Sequence, residues 1–281
     1  MKLCEFIRPA SLAAARDALR ELGPKGMVLA GGTALHFMQD HTPVTAVDIT
    51  RLGLSYIRAD EGGYRIGATT PLSEIQRYRA PRWALHEICR CIATHQIRNI
   101  STIGGNIARV FPWADLPVAL LAMGADMTIY GEHAGMLGAD EYFASQPAKR
   151  FLGGDLLTEV RVPALRAGQG VGMVKVAWTS AAFSMVTVAA RLDLEGDEIR
   201  SARVAAGAAI PFPRRLAAAE AALAGKAATE ETFRAAAEAG GAEADWRGRE
   251  GMSAEYSRHL AETAVFDALA RAAKWARGRS E

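Results

Sequence analysis

Cysteine is scarce in this chain: 281 residues contain three, Cys4, Cys89 and Cys91. A disulfide framework is thereby excluded, and a reducing compartment is the expectation. An iron–sulfur cluster usually takes four thiolates, so none is expected to reside here. Cys89-Arg90-Cys91 falls in a stretch that reads as helical, where residues two apart face different ways, so the pair reads as structural thiols. The six histidines (36, 41, 86, 95, 133 and 259) are never spaced as paired ligands, and no H-E-x-x-H occurs. Metal chemistry must come from another chain.

Charge of one sign is lacking too. Lys and Arg number 33 against 31 Asp and Glu, and this balance argues against a nucleic-acid partner. No apolar run approaches the ~18 to 20 residues of a membrane span; residues 116–125 are the longest candidate and contain Pro117. Lys2, Glu5 and Arg8 stand where a signal core would be apolar, so a cytoplasmic location is expected. Neither G-x-G-x-x-G before a helix nor G-x-x-x-x-G-K-[ST] occurs; Gly168-Gln169-Gly170-Val171-Gly172 has the wrong spacing and leads into a strand.

What remains is a globular composition, half apolar and 23% charged, sufficient for one large domain or two modest ones. Ser11 caps a helix over 12–22. Residues 27–30 read as a strand broken by Gly31-Gly32, 33–38 as a returning helix and 44–49 as the next strand. Glu61-Gly62-Gly63 joins a hairpin, Thr70-Pro71 opens a helix, and a further helix covers 82–94. After 95–108 come a helix at 116–123 and strands at 127–130 and 159–162. Residues 165–172 form the boundary. Beyond it three strands (172–177, 183–194 and 199–207) precede helices at 213–223, 229–239 and 253–277.

Two glycine pairs stand out: Gly31-Gly32-Thr33 and Thr102-Ile103-Gly104-Gly105-Asn106. A diphosphate is best held by several converging backbone amides, which glycine leaves unobstructed. Thr33, Thr102 and Asn106 add short side-chain donors. Taken singly, each pair reads first as a tight turn. Asp115 before Leu116-Pro117 reads as a helix cap, and the aromatic and Met residues between Trp178 and Met185 as core strand.

Several ordered stretches resemble a known family: residues 6–12, 29–35, Ile97-Arg98-Asn99, 102–108, 114–121, 154–160 and 253–260. They are similar to the FAD-binding (medium) subunit of molybdenum hydroxylases, the flavin module of xanthine dehydrogenase and aerobic carbon monoxide dehydrogenase. The resemblance implies an α+β chain. A two-subdomain FAD domain of the vanillyl-alcohol-oxidase (PCMH) type, residues 1–168 divided near 54, precedes a small C-terminal domain, residues 169–281, with a three-stranded antiparallel sheet and helices.

By the same resemblance, Val28, Leu29, Ala30, Gly31, Gly32, Thr33, Ala34 and Leu35 wrap the pyrophosphate and ribityl chain together with Ser101, Thr102, Gly104, Gly105, Asn106 and Ala108. Asp115 bonds the ribose or ribityl hydroxyls. Ile92, Ala93, Leu156 and Leu157 line the adenine and flavin surfaces, and Lys175 sits near the isoalloxazine. His36 is a helix residue near the site, because the resembled family holds FAD without a covalent bond. Many relatives carry an arginine four residues after that lysine and an aspartate seven after. Here these are Thr179 and Ala182, a departure that bears on the flavin's redox tuning and on NAD as acceptor.

The implied function is electron transfer. A large molybdopterin-binding subunit hydroxylates substrate, a small [2Fe-2S] subunit relays electrons, and FAD in this chain passes them to NAD+, a quinone or oxygen, in a heterotrimer or its dimer. The helices after Pro213 and the loop after Phe111-Pro112-Trp113 are candidate partner faces. The alternatives are a stand-alone FAD-dependent oxidoreductase and a non-catalytic nucleotide-binding or assembly protein of the same fold.

Overall fold

A computed structural model describes residues 2–37, 43–145, 147–249 and 251–278, without the side chains of His36, Lys149, Arg150 and Leu152. Strand β1 (Lys2–Ile7) leads into α1 (Leu12–Leu22), followed by β2 (Gly26–Leu29) and β3 (Pro43–Asp48). The Ser11 hydroxyl accepts the Ala14 amide at the start of α1, and Ala15 and Leu19 bury one face four residues apart. The three strands form a parallel sheet in the order β1-β3-β2. The helix expected over 33–38 reduces to a single 3-10 turn, Leu35–Phe37, and Met38 lies outside the described residues.

Strands β4 (Ile57–Asp60) and β5 (Gly63–Gly67) make the expected hairpin, with the Asp60 carboxylate accepting the Gly62 and Gly63 amides. Next come four six-residue helices, α2 (Leu72–Arg77), α3 (Leu85–Arg90), α4 (His95–Ile100) and α5 (Ile103–Ala108). Two sequence expectations shift here. Thr70 does not cap α2; its hydroxyl accepts the Tyr56 amide and donates to the Tyr56 carbonyl, so Pro71 takes the cap position. The helix expected over 82–94 ends at Arg90, Ala93 turns to φ +47°, and Thr94 caps α4 instead.

Helix α6 (Leu116–Met123) precedes β6 (Asp126–Tyr130), β7 (Gly135–Gly138), α7 (Ala139–Ala144), α8 (Pro147–Arg150) and β8 (Leu156–Pro163). Strands β4 to β8 form a second sheet in the order β4-β5-β8-β6-β7. The chain closes with β9 (Gln169–Val176), β10 (Val186–Glu195), β11 (Glu198–Gly207), β12 (Arg214–Arg215), α9 (Ala217–Leu223), α10 (Glu230–Glu243) and α11 (Ala254–Ala276). The expected three-stranded antiparallel sheet is present as β11-β10-β9, and the two residues of β12 add a fourth strand at its edge. Residues 214–215 are therefore strand, not the start of a helix.

Packing gathers the chain into two units. One comprises residues up to Tyr78, Thr94–Val110 and Asp126–Val162; the other comprises Arg79–Ala93, Phe111–Ala125 and the chain from Pro163 onward. In the second unit all eight residues of α6 are buried. Its end is capped from outside, Arg191 donating to the Met123 carbonyl at 2.8 Å and Arg203 to that of Leu121 at 3.0 Å. In β9, a side chain at Gly170 or Gly172 would overlap the Ala272 or Ala268 carbonyl of α11. Those glycines let the long helix lie directly on the sheet.

Candidate functional site

Strand β2 ends at Leu29, and the chain then turns within the first unit. Gly32 has φ +68°, a conformation other residues rarely adopt. Gly31 is fixed by proximity: a Cβ there would overlap the Ile100 carbonyl oxygen and lie 3.2 Å from the Ser101 Cα. The Thr33 and Ser101 hydroxyls are 2.8 Å apart. The fold thus brings together the two glycine-bearing segments that the sequence marked out.

Their chemistry differs. Among the described residues, the amides of Gly31, Gly32, Thr33 and Ala34 donate to no partner, while the Gly32 and Ala34 carbonyls accept from Leu35 and Phe37. The second segment is the start of α5, where the Thr102 hydroxyl accepts the Gly105 amide at 3.0 Å. Gly104 donates to the Ala68 carbonyl at 2.8 Å and Ile103 to that of Thr70 at 3.0 Å. The two glycine segments thus differ in which amides are already engaged within the fold. Residues 31–34 carry amides that donate to no described residue, and Gly104 and Gly105 of α5 present a surface without bulk.

A cavity of about 500 Å³ opens between these segments inside the first unit. It is lined by residues 28–35, by Thr102, Gly104, Gly105 and Ala108 of the second segment, and by Leu156 and Leu157 of β8. Ser101 touches Thr33 without lining it. Two lining residues that the sequence did not single out carry charge, Arg109 and Asp155. Asp155, within the recognised Gly154-Asp155-Leu156-Leu157 run, is buried, and its carboxylate accepts the Glu132 amide at 2.8 Å and faces His133 Nδ1 at 3.0 Å. It anchors the turn after β6.

Ile92, Ala93, Asp115 and Lys175 lie in the second unit. Asp115 occupies the position before α6 but makes no side-chain cap bond there. Its buried carboxylate instead accepts the hydroxyls of Ser184 and of Thr187, the latter at 2.5 Å, and faces the Lys175 ammonium at 3.4 Å. Lys175 also donates to the Cys91 carbonyl at 2.9 Å. Opposite charges and two hydroxyls thus match one another out of water. Burial pushes the neighbouring Cys91 thiol above its ordinary pKa, disfavouring the thiolate.

FAD fits the first unit's cavity. Its volume falls in the roughly 300 to 1,000 Å³ range of small-molecule and cofactor sites. Four consecutive amides that donate to no described residue suit a diphosphate. Asn106 Oδ1 and Thr69 Oγ1 are buried with no hydrogen-bond partner among the described residues, but neither residue lines the cavity.

The comparisons agree with this geometry. Residues 2–165 match the FAD binding domain in molybdopterin dehydrogenase, and residues 175–272 the CO dehydrogenase flavoprotein C-terminal domain. The carbon monoxide dehydrogenase medium chain of Hydrogenophaga pseudoflava is 31% identical over 245 residues, 84% of this chain and 85% of that one. The glyceraldehyde dehydrogenase medium chain of Sulfolobus acidocaldarius is 30% identical over 197 residues, 66% of this chain and 69% of that one. In the solved carbon monoxide dehydrogenase of Hydrogenophaga pseudoflava, one chain superposes with a TM-score of 0.90 at 31% identity, covering 99% of this chain and 98% of that one. No helix among the described residues is long and apolar enough to cross a membrane. The two matched domains and the medium-chain relatives lead to one conclusion: this chain belongs to the FAD-binding medium subunits of the molybdenum hydroxylase family, and FAD is its cofactor.

Proposed function

We propose that this chain is the electron-transfer flavoprotein of a molybdenum hydroxylase complex. It receives electrons from [2Fe-2S] clusters of a small partner subunit, a large molybdopterin-binding subunit carries the hydroxylation, and the terminal acceptor is NAD+, a quinone or oxygen. FAD, when bound, supplies reversible one- and two-electron chemistry. The chain's own part is binding and orientation. The amides of residues 31–34 hold the diphosphate, the Thr33–Ser101 contact keeps their turn against α5, and residues 28–30 with Leu156 and Leu157 wall the cavity with apolar surface that excludes water.

The observation that carries this reading is the meeting of residues 31–34 and 100–105 around one cavity, in a chain whose relatives are medium chains of dehydrogenases. Assembly with partners is supported by aromatic rings left in water on the second unit: Trp178 is 79% exposed and Phe183 51%. The test is native purification through a tag on this chain, followed by intact-complex mass spectrometry and metal analysis. Bound FAD with co-purifying iron- and molybdenum-bearing subunits is the expected result. A flavin-loaded chain that turns over a substrate alone would replace this reading by that of a stand-alone oxidoreductase.

A further inference from the structure

Helix α5 shows the cavity one face only. Gly104, Gly105, Ala108 and Arg109 line it, and the residues between them do not. Gly104, Gly105 and Ala108 share one helical face, and Arg109 comes directly after the last helical residue. Gly105 is exposed, and a Cβ there would meet only the Thr102 hydroxyl, at 2.9 Å, so no neighbouring backbone requires that glycine. Arg109 follows α5 as its C-cap, with extended backbone (φ −124°, ψ 103°), and lines the same cavity as the bare surface at 105. About 6 Å of axial rise separates the two positions, within reach of an arginine.

Charge points the same way. Among the described lining residues, Arg109 and Asp155 alone are ionisable, and Arg109 alone is cationic. Four neutral amides orient a diphosphate but do not neutralise it. We propose that Arg109 is a binding residue for the cofactor's diphosphate, closing over Gly105 so that its guanidinium faces the anion held by residues 31–34. This rests on the FAD reading and adds a residue that neither the motifs nor the matched domains single out. A planar fork of donors suits phosphate oxygens better than an ammonium does. A purely structural role, a cation at the C-terminal end of a short helix, would act on stability alone.

The experiment titrates the full chain, stripped of flavin, with FAD and separately with riboflavin, which lacks the diphosphate. Wild type, Arg109→Gln and Arg109→Lys are compared at several salt concentrations. Arg109→Gln should weaken FAD binding about 10- to 100-fold, leave riboflavin binding within about twofold, and flatten the salt dependence of FAD affinity; Arg109→Lys should fall between. Equal effects on both flavins, or on neither, overturn the proposal while the FAD reading stands. A folded wild-type chain that takes up neither flavin overturns both. Thermal midpoints identify a variant that has lost its fold; Arg109→Lys, which keeps the charge, then decides by its FAD-to-riboflavin ratio.

Discussion

The hydroxyl oxygens of Thr33 and Ser101 lie 2.8 Å apart, although 68 positions separate them in the chain. This contact fastens the turn after β2 to the residue that precedes the cap of α5. Thr33→Val and Ser101→Ala should each cost about 1 kcal/mol in stability, and the double variant little more than either. A double-mutant cycle in urea measures the coupling, which should be about 0.5 to 1 kcal/mol.

Glycines 31 and 105 should respond differently to the same added methyl. At Gly31 the new carbon strikes the Ile100 backbone, whereas at Gly105 it meets only a threonine hydroxyl that can rotate. Gly31→Ala should destabilise the chain by about 2 to 3 kcal/mol and reduce FAD content, and Gly105→Ala by less than about 1 kcal/mol. Denaturation midpoints and the flavin-to-protein absorbance ratio decide. Equal effects would mean that the Gly31–Ile100 approach is not tight in solution.

Breaking the Lys175–Asp115 pair from one side should be worse than removing it altogether. Both groups are buried, and Lys175→Met leaves a carboxylate whose cation is gone. A loss of about 3 kcal/mol is expected, largely recovered when Asp115→Asn is added. Urea titrations of the two singles and the double check this.

Acid should loosen the first unit through Asp48. Burial works to raise its pKa, but the Thr50 hydroxyl and amide and the Arg8 guanidinium outweigh it and hold the carboxyl below its ordinary value. The folded state therefore binds this proton more weakly than the unfolded state. Its contribution is complete above the unfolded value of about 3.9 and disappears as pH falls through the lower folded value. Asp48→Asn should lower stability at pH 7 by about 1 kcal/mol and flatten the acid limb of the stability profile, followed by circular dichroism. An unchanged limb would mean that Asp48 does not titrate differently on folding.

Local signals were legible in the sequence and long-range ones were not. Ser11 announced α1 because a cap acts within three residues, and Glu61-Gly62-Gly63 announced its hairpin for the same reason. Thr70 and Thr94 look alike in sequence, yet only Thr94 caps a helix, because Tyr56, fourteen positions away, engages the Thr70 hydroxyl. The two glycine segments were visible as motifs. Which of them kept free amides was not, because that depended on whether carbonyls of distant loops, those of Ala68 and Thr70, reached them first. Asp115 looked like a cap for want of sight of Ser184, Thr187 and Lys175. Arg109 carries no motif; only the cavity singles it out.

Helix α6 has no solvated side, and two guanidiniums close its last turn. A segment so enclosed cannot fray by itself, because every opening exposes apolar surface and strips two arginines of their acceptors together. Its backbone protons should accordingly be among the slowest in the chain to swap with deuterium, lasting until the surrounding β-strands separate.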